Sequence, residues 1–293
     1  MKSSNKCKIM ISGANGFLGK NLLLHLSKNY NVKPITVRNS NLTEIKKEIT
    51  QFQPDIFINN GWYAGNKFND VNSYEQFDNL NIIFELSKTL SKLKNLYYIG
   101  IGSFAEYGVK SDISKEVDKE NPNNYYGASK NMFKIFSKTF CKINNFKWLW
   151  LRPCYIYGQY DIPNRLIPKV IDAFENNKKL TLNSCNSVAD YLHVDDFTLA
   201  VEDLISSNCC GVFNICSGNQ YKIKDIINEI KDIYSINIDI NFDSSKDRKN
   251  SYTNYTCGNN SKLIKMTSWE PKSNLRLGLS KTINSYKKYI YAK

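Results

Sequence analysis

Hydrophobic positions along this chain switch repeatedly between two spacings, and the switching predicts an architecture. Lys8–Ser12 is a short apolar run that stops at a glycine, the pattern of a strand buried in a parallel sheet. Over residues 15–28, Phe17, Leu18, Leu22, Leu23 and Leu26 recur at helical spacing. The same reading continues with a strand at 31–38, a helix at 43–52 and a strand at 55–59. A long amphipathic helix follows at 74–93, then a strand at 95–101, a helix at 123–143 and a strand at 147–151. Strands alternating with helices predict an α/β protein with a parallel sheet and helices on both faces. Right-handed crossovers then make the sheet doubly wound, a Rossmann arrangement. Beyond Pro153 the pattern weakens into turn-rich stretches with short helices at 165–174 and 221–234. We expect a first domain over 1–162 with a returning segment around 186–235, and a smaller, partly interleaved second domain over 163–293.

Charge and composition narrow the function classes. The net charge is +13, but the lysines are scattered through Asn- and Ile-rich sequence rather than gathered into an arm or a nucleic-acid motif. A solvated lysine surface and an anionic small-molecule ligand are expected, and nucleic acid is not. The eight cysteines contain no C-x-x-C pair and the two histidines lie far apart, so no metal site is expected and the thiols are read as reduced. No apolar run reaches the about 20 residues of a membrane-crossing helix. Residues 1–8 are polar and lack the pattern of a secretory signal, so a cytoplasmic location away from membranes is expected.

Three motifs carry chemistry. Residues 13–19 (GANGFLG) join the first strand to the first helix. Gly13, Gly16 and Gly19 permit a tight turn and close backbone approach, and the helix start offers N–H donors to a pyrophosphate. Residues 126–130 (YGASK) place Tyr126 and Lys130 on one helix face. An ammonium beside the phenol, together with a nicotinamide cation when oxidised, lowers its pKa and readies it as acid or base. The pair also arises by chance in a chain with 19 tyrosines, so alone it decides nothing. Residues 102–108 (GSFAEYG) follow the fourth strand, where ligands bind in such sheets. Ser103 there either shares a substrate oxygen with Tyr126 or belongs to a plain Gly/Ser turn.

In this order and spacing the motifs resemble the extended short-chain dehydrogenase/reductase family, the NAD(P)-dependent nucleotide-sugar epimerases, dehydratases and reductases. The resemblance runs over nearly the whole chain. It includes residues 151–158 (LRPCYIYG), 190–196 (DYLHVDD), 211–215 (GVFNI) with Gly218, 269–271 (WEP) and Asn79. It implies catalysis by Ser103, Tyr126 and Lys130. It also implies a dinucleotide held by Gly13, Asn15, Gly16, Phe17, Leu18, Gly19, Arg38, Gly61, Tyr126, Lys130, Arg152 and Pro153. A nucleotide-diphosphate sugar is the implied substrate, and a homodimer through helices 74–93 and 123–143 the implied assembly.

Departures from the family pattern sort its branches. Dehydratases that make 4-keto-6-deoxy sugars carry Asp-Glu after the active-site Ser or Thr, whereas Phe104 and Ala105 stand here and cannot transfer protons. A 4,6-dehydratase is therefore disfavoured, and Glu106 is not given that role. After the second strand the chain reads Val37, Arg38, Asn39, Ser40, with no acid for a ribose 2′-OH. Arg38 is either a fork for a 2′-phosphate or a surface arginine; the missing acid favours NADP(H), with NAD the alternative. The stretch before Asp55 is short and lacks the family's adenine-side aspartate. Residues 60–65 (NGWYAG) replace the family's H-x-A-A. Gly61 lets backbone approach the cofactor, while Trp62 either lines the sugar pocket or packs. An aromatic at this place is similar to 4-keto-6-deoxyhexose reductases of surface-polysaccharide biosynthesis, including CDP-abequose and CDP-paratose synthases. Arg165 and Arg248 are candidates for the substrate diphosphate, with a solvated role as the alternative to each. Ala189 stands where many relatives carry arginine. The expected activity is NADPH-dependent reduction of a 4-keto-6-deoxy nucleotide-sugar. The alternatives are an NAD-dependent 4-epimerase and a non-catalytic dinucleotide sensor.

Overall fold

The computed structural model describes residues 6–37, 41–62, 71–236, 238–246 and 255–291. In chain order the first half comprises β1 (Lys8–Ser12), α1 (Phe17–Leu26), β2 (Asn31–Ile35), α2 (Leu42–Phe52), β3 (Ile56–Asn59), α3 (Glu75–Leu90), β4 (Tyr97–Ile101), α4 (Tyr125–Ile143) and β5 (Lys147–Pro153). Every element read from the hydrophobic pattern is present, with ends trimmed by a few residues; β2 stops at Ile35. The second half comprises β6 (Tyr155–Tyr157), α5 (Leu166–Glu175), β7 (Leu180–Leu182), β8 (Val188–Ala189), β9 (Tyr191–His193), α6 (Val194–Ser206) and β10 (Gly211–Ile215). It ends with β11 (Tyr221–Lys222), α7 (Ile223–Tyr234), β12 (Ile240–Phe242), β13 (Tyr255–Thr256), α8 (Ser261–Thr267) and α9 (Leu275–Tyr291).

The central sheet has the order β10-β5-β4-β3-β1-β2 and every pairing in it is parallel. Strand periodicity divides its side chains between the two faces of the sheet, which together form the first core. Ile9, Ile11, Ile58, Ile99 and Leu151 face α1 and α6. Met10, Phe57, Tyr98 and Trp150 face α2, α3 and α4. The chain leaves β1 toward β2 on one side and returns to β3 on the other, so the strand order reverses beside β1. A crevice opens at such a reversal, outside the carboxyl ends of the strands.

A second core gathers α5, α7 and α9 with Leu180, Leu182, Ala189 and Tyr191. Strand β10 joins the sheet beside β5, and α6 lies against α1. Helix α7 instead turns its Ile226, Ile227 and Ile230 stripe into the second core, against α5 and α9. Trp269 and Leu263, from the last part of the chain, pack back into the first core. Among the described residues no helix is long and apolar enough to cross a membrane.

Candidate active site

The crevice is a cleft of about 1250 Å³ that reaches from the glycine turn to β8 and β13. Its floor begins where β1 ends. Gly13 has φ +68 and donates its N–H to Ile35 at 3.1 Å. A Cβ at Gly13 would lie 2.6 Å from Gly61 Cα, so the loops after β1 and β3 touch backbone to backbone. The contact is locked by side chains: Ser12 Oγ donates to Asn59 Oδ1 at 2.9 Å and accepts from Gly61 N–H at 2.9 Å. Asn60 Nδ2 donates to Gly13 O at 3.2 Å. The motif reading did not single out these three polar residues; their signal was polarity at the carboxyl ends of two apolar strands.

Helix α1 starts at Gly16 with no side-chain cap and no acidic residue in its first turn. Its first N–H groups have no intrahelical acceptor, and the positive end of its dipole faces the cleft beside Phe17 and Leu18. Bare backbone, an uncapped helix start and two interlocked glycines fit a dinucleotide pyrophosphate. Asn15 Nδ2 bridges to Thr36 Oγ1 at 2.9 Å across the turn, and Thr36 and Val37 continue the cleft wall. Gly19 is buried and does not line the cleft; a Cβ there would run into the Gly13 carbonyl, so it permits helix–turn packing. Arg38 lies outside the described residues.

Helix α4 brings the proposed proton donor to the opposite wall. Asn124 caps it by accepting from Gly127 N–H at 2.8 Å, and Gly127 lies so close to Ala105 that a Cβ would overlap the Ala105 carbonyl. This approach sets Tyr126 against the turn that follows β4, where its hydroxyl meets Ser103. Ser103 Oγ accepts from Ala105 N–H at 3.1 Å. Lys130, one turn along α4, is 4% exposed. Its Nζ donates to Ile101 O at 2.8 Å and sits 3.9 Å from the Trp62 ring centroid. Sequence therefore brought together three groups that the fold also brings together, and all three line one cleft.

The electrostatics differ from the expectation of a phenol lowered by Lys130. Burial raises the Tyr126 pKa, and Glu106 adds to the rise, against the Ser103 hydrogen bond and the charge of Arg165. Burial lowers Lys130 to about 7, opposed by the charge of Glu106. Desolvation is the largest influence on the phenol, and Lys130 is not among the groups acting on it: its Nζ meets a carbonyl and an indole face.

Trp62 stands at the cleft wall and is also packed. Its indole stacks on Phe133 at 5.9 Å, meets Tyr126 edge-on at 6.5 Å and donates from Nε1 to Gln76 Oε1 at 2.9 Å. Arg152 does not reach the cofactor cleft. Its side chain is 0% exposed, donates from Nε to Glu106 at 2.8 Å, pairs with Glu120, and lies 4.4 Å from the Tyr107 ring centroid. Two carboxylates and an aromatic face hold it inside the protein, while its neighbour Pro153 lines the cleft. Arg165, just before α5, does line the cleft; its Nη1 donates to Asp161 at 2.9 Å and its guanidinium is 5.6 Å from the Phe17 ring centroid. Arg248 lies outside the described residues. Lys110 also lines the cleft, paired with Asp118 at 3.1 Å, and was not anticipated.

Comparison with known proteins agrees with this geometry. The dTDP-6-deoxy-L-talose 4-dehydrogenase (NAD(+)) of Aggregatibacter actinomycetemcomitans is 24% identical over 247 residues, covering 75% of this chain and 88% of that protein. The CDP-abequose synthase of Yersinia pseudotuberculosis is 25% identical over 252 residues, covering 77% and 85%. The structure of RMD from Pseudomonas aeruginosa complexed with NADPH shares the fold, with a TM-score of 0.83 at 20% identity over 97% of this chain and 99% of that one. The sequence model of one family matches residues 9–216, from β1 past the end of β10 and through the whole sheet that forms the cleft. On that match, which bears out the resemblance drawn from the motifs, the chain belongs to the NAD dependent epimerase/dehydratase family.

Proposed function

We propose that this chain uses NADPH to reduce the C4 ketone of a nucleotide-linked 4-keto-6-deoxysugar. The observation that carries the reading is a buried tyrosine beside a serine in the cleft, with Phe104 and Ala105 directly after that serine. A nicotinamide dinucleotide bound along the glycine turn supplies the hydride. Tyr126 donates the proton to the ketone oxygen. Ser103 already accepts from Ala105 N–H, so its own O–H is available to the same oxygen. The raised phenol pKa suits an acid, because the group stays protonated until it delivers its proton.

Other features support the reading. Elimination of water needs an added acid and base, yet Phe104 is buried against Tyr107 and Ala105 carries no proton. Among the described residues the acidic ones lining the cleft are Asp78 and Asp161, and neither follows β2, where an NAD ribose would be bound. Arg165, between the Phe17 ring and the start of α5, lines the cleft and would take a substrate phosphate in this reading. The named activities of the relatives, a 6-deoxysugar 4-dehydrogenase and a CDP-abequose synthase, are of the same chemical kind.

The test is a stoichiometry. Purified protein is mixed with nucleotide-linked 4-keto-6-deoxysugars and either NADPH or NADH, and the product is read by NMR. We expect one NADPH consumed for each new C4 hydroxyl. Tightly retained NAD, with interconversion of two C4 epimers and no added reductant, would establish the epimerase instead.

A further inference from the structure

We propose that Glu106 is a positioning residue of this active site: its buried carboxylate fixes the backbone of Ser103 and is the negative charge set against the Lys130 ammonium. Only the kinetic arm of its test rests on the reductase reading.

Glu106 is 0% exposed and does not line the cleft, so it meets neither substrate nor cofactor. Its Oε1 accepts Ser103 N–H at 2.8 Å and Trp150 Nε1–H at 3.1 Å. Its Oε2 accepts Arg152 Nε–H at 2.8 Å and shares the Trp150 donor at 3.1 Å. The strand beneath is cut away to admit these groups. A Cβ at Gly100 would run into the Trp150 ring, and one at Gly102 into the Glu106 carboxylate and the Trp150 nitrogen. Arg152 goes on to Glu120, and Glu120 to Lys134. Two anions and two cations thus balance, and the guanidinium, which keeps its proton, favours the ionised Glu106. Burial raises the Glu106 carboxyl above its ordinary value, against the pull of Arg152 and the Ser103 N–H.

Two consequences reach the site. The first is geometric. Ser103 and Glu106 form a capping box, in which the serine hydroxyl accepts from the turn's backbone and the glutamate accepts from the serine's own N–H. A device that usually starts a helix here holds the serine beneath Tyr126. The second is electrostatic. Lys130 faces the Ile101 carbonyl on β4, the Trp62 ring after β3 and the Tyr126 ring on α4. Glu106 is the charged group acting on it among the described residues, and it favours the ammonium that burial disfavours.

Glu106→Gln keeps the size and one acceptor oxygen but removes the charge and sets an amide donor against Arg152. The test follows the Cε signal of Lys130 by NMR in protein labelled with 13C-lysine, assigned with Lys130→Met and titrated with pH. We expect the Lys130 midpoint to fall by about one pH unit or more in Glu106→Gln. An unchanged midpoint overturns the proposal. Should that variant not fold, Glu106→Gln/Arg152→Gln leaves the Glu120–Lys134 pair and a neutral interior, and the same fall is expected. In the kinetic arm the pH profile of kcat moves with the midpoint; a lower Tm with an unmoved profile and midpoint marks a merely structural glutamate and overturns the proposal. Failure of the reductase assay leaves the NMR midpoint as the deciding result.

Discussion

Gly13→Ala tests whether the crossing of two loop backbones, and not flexibility in general, makes the glycine turn. Gly13 sits at φ +68, where an L side chain costs about 1–2 kcal/mol. The new methyl would also stand 2.6 Å from Gly61 Cα and 2.8 Å from Gly61 N. Both neighbours are backbone and cannot rotate aside, so the loop after β3 must move, an overpacking cost of about 1–3 kcal/mol. The sum, roughly 2–5 kcal/mol, is a large part of the ~5–15 kcal/mol that stabilises a domain. Urea unfolding should show the midpoint falling at unchanged slope. Fluorescence titration with NADPH should show affinity reduced about tenfold or more, since the cradle widens where the pyrophosphate would rest. Gly16→Ala is the control: its φ is −80 and its nearest neighbour would be the Gly13 carbonyl at 3.4 Å, so stability should stay within about 0.5 kcal/mol of the parent. A Gly13→Ala protein as stable and as competent in dinucleotide binding as the parent would refute the argument.

Further outcomes follow from the buried charges and from the helices flanking the cleft. Lys130 is lowered from 10.5 to about 7, so between those values the unfolded chain holds one proton more and stability rises with pH, by about 1.4 kcal/mol per unit. Lys130→Met lacks that rise, and its advantage over the parent should shrink across this window in pH-dependent urea unfolding. Arg152→Ala leaves two carboxylates without their partner and should cost about 3–5 kcal/mol in unfolding, while the folded fraction binds dinucleotide as before. Selective loss of dinucleotide affinity at unchanged stability would restore Arg152 to the cofactor site. Met132 and Ile135 on α4 and Phe84 on α3 are exposed apolar side chains, and we propose that this face joins two copies of the chain. Ile135→Glu should then lower the mass measured by light scattering to that of one chain, and an unaltered mass in solution counts against the dimer.

What could be read from sequence was what short spacings encode. The strand–glycine–helix start and the four-residue step from Tyr126 to Lys130 are local, and both meet in the cleft as expected. Trp62 was left between two roles because its neighbours come from α3 and α4, at Gln76 and Phe133. Arg152 was misplaced for a related reason. Its position near the end of β5 resembled that of a cofactor ligand, but its partners, Glu106 and Glu120, lie 46 and 32 residues away along the chain. Glu106 could be discounted as a dehydratase acid; its three-residue step from Ser103 is a local capping-box signal that went unread, while its contacts with a tryptophan and an arginine from β5 are not local. Helix α7 has a clear apolar stripe, but amphipathicity does not say which core a stripe enters, and it went to the second one. The direction of the Tyr126 shift was missed because a charge partner is visible in sequence and the depth of burial is not.

The claim on which the account turns is that the Tyr126 hydroxyl delivers the proton in this cleft. Its most direct test is Tyr126→Phe, assayed for turnover of a nucleotide-linked 4-keto-6-deoxysugar and, separately, for NADPH affinity. The account predicts a loss of about 100- to 10,000-fold in kcat with dinucleotide affinity unchanged. Turnover within a few-fold of the parent would contradict it.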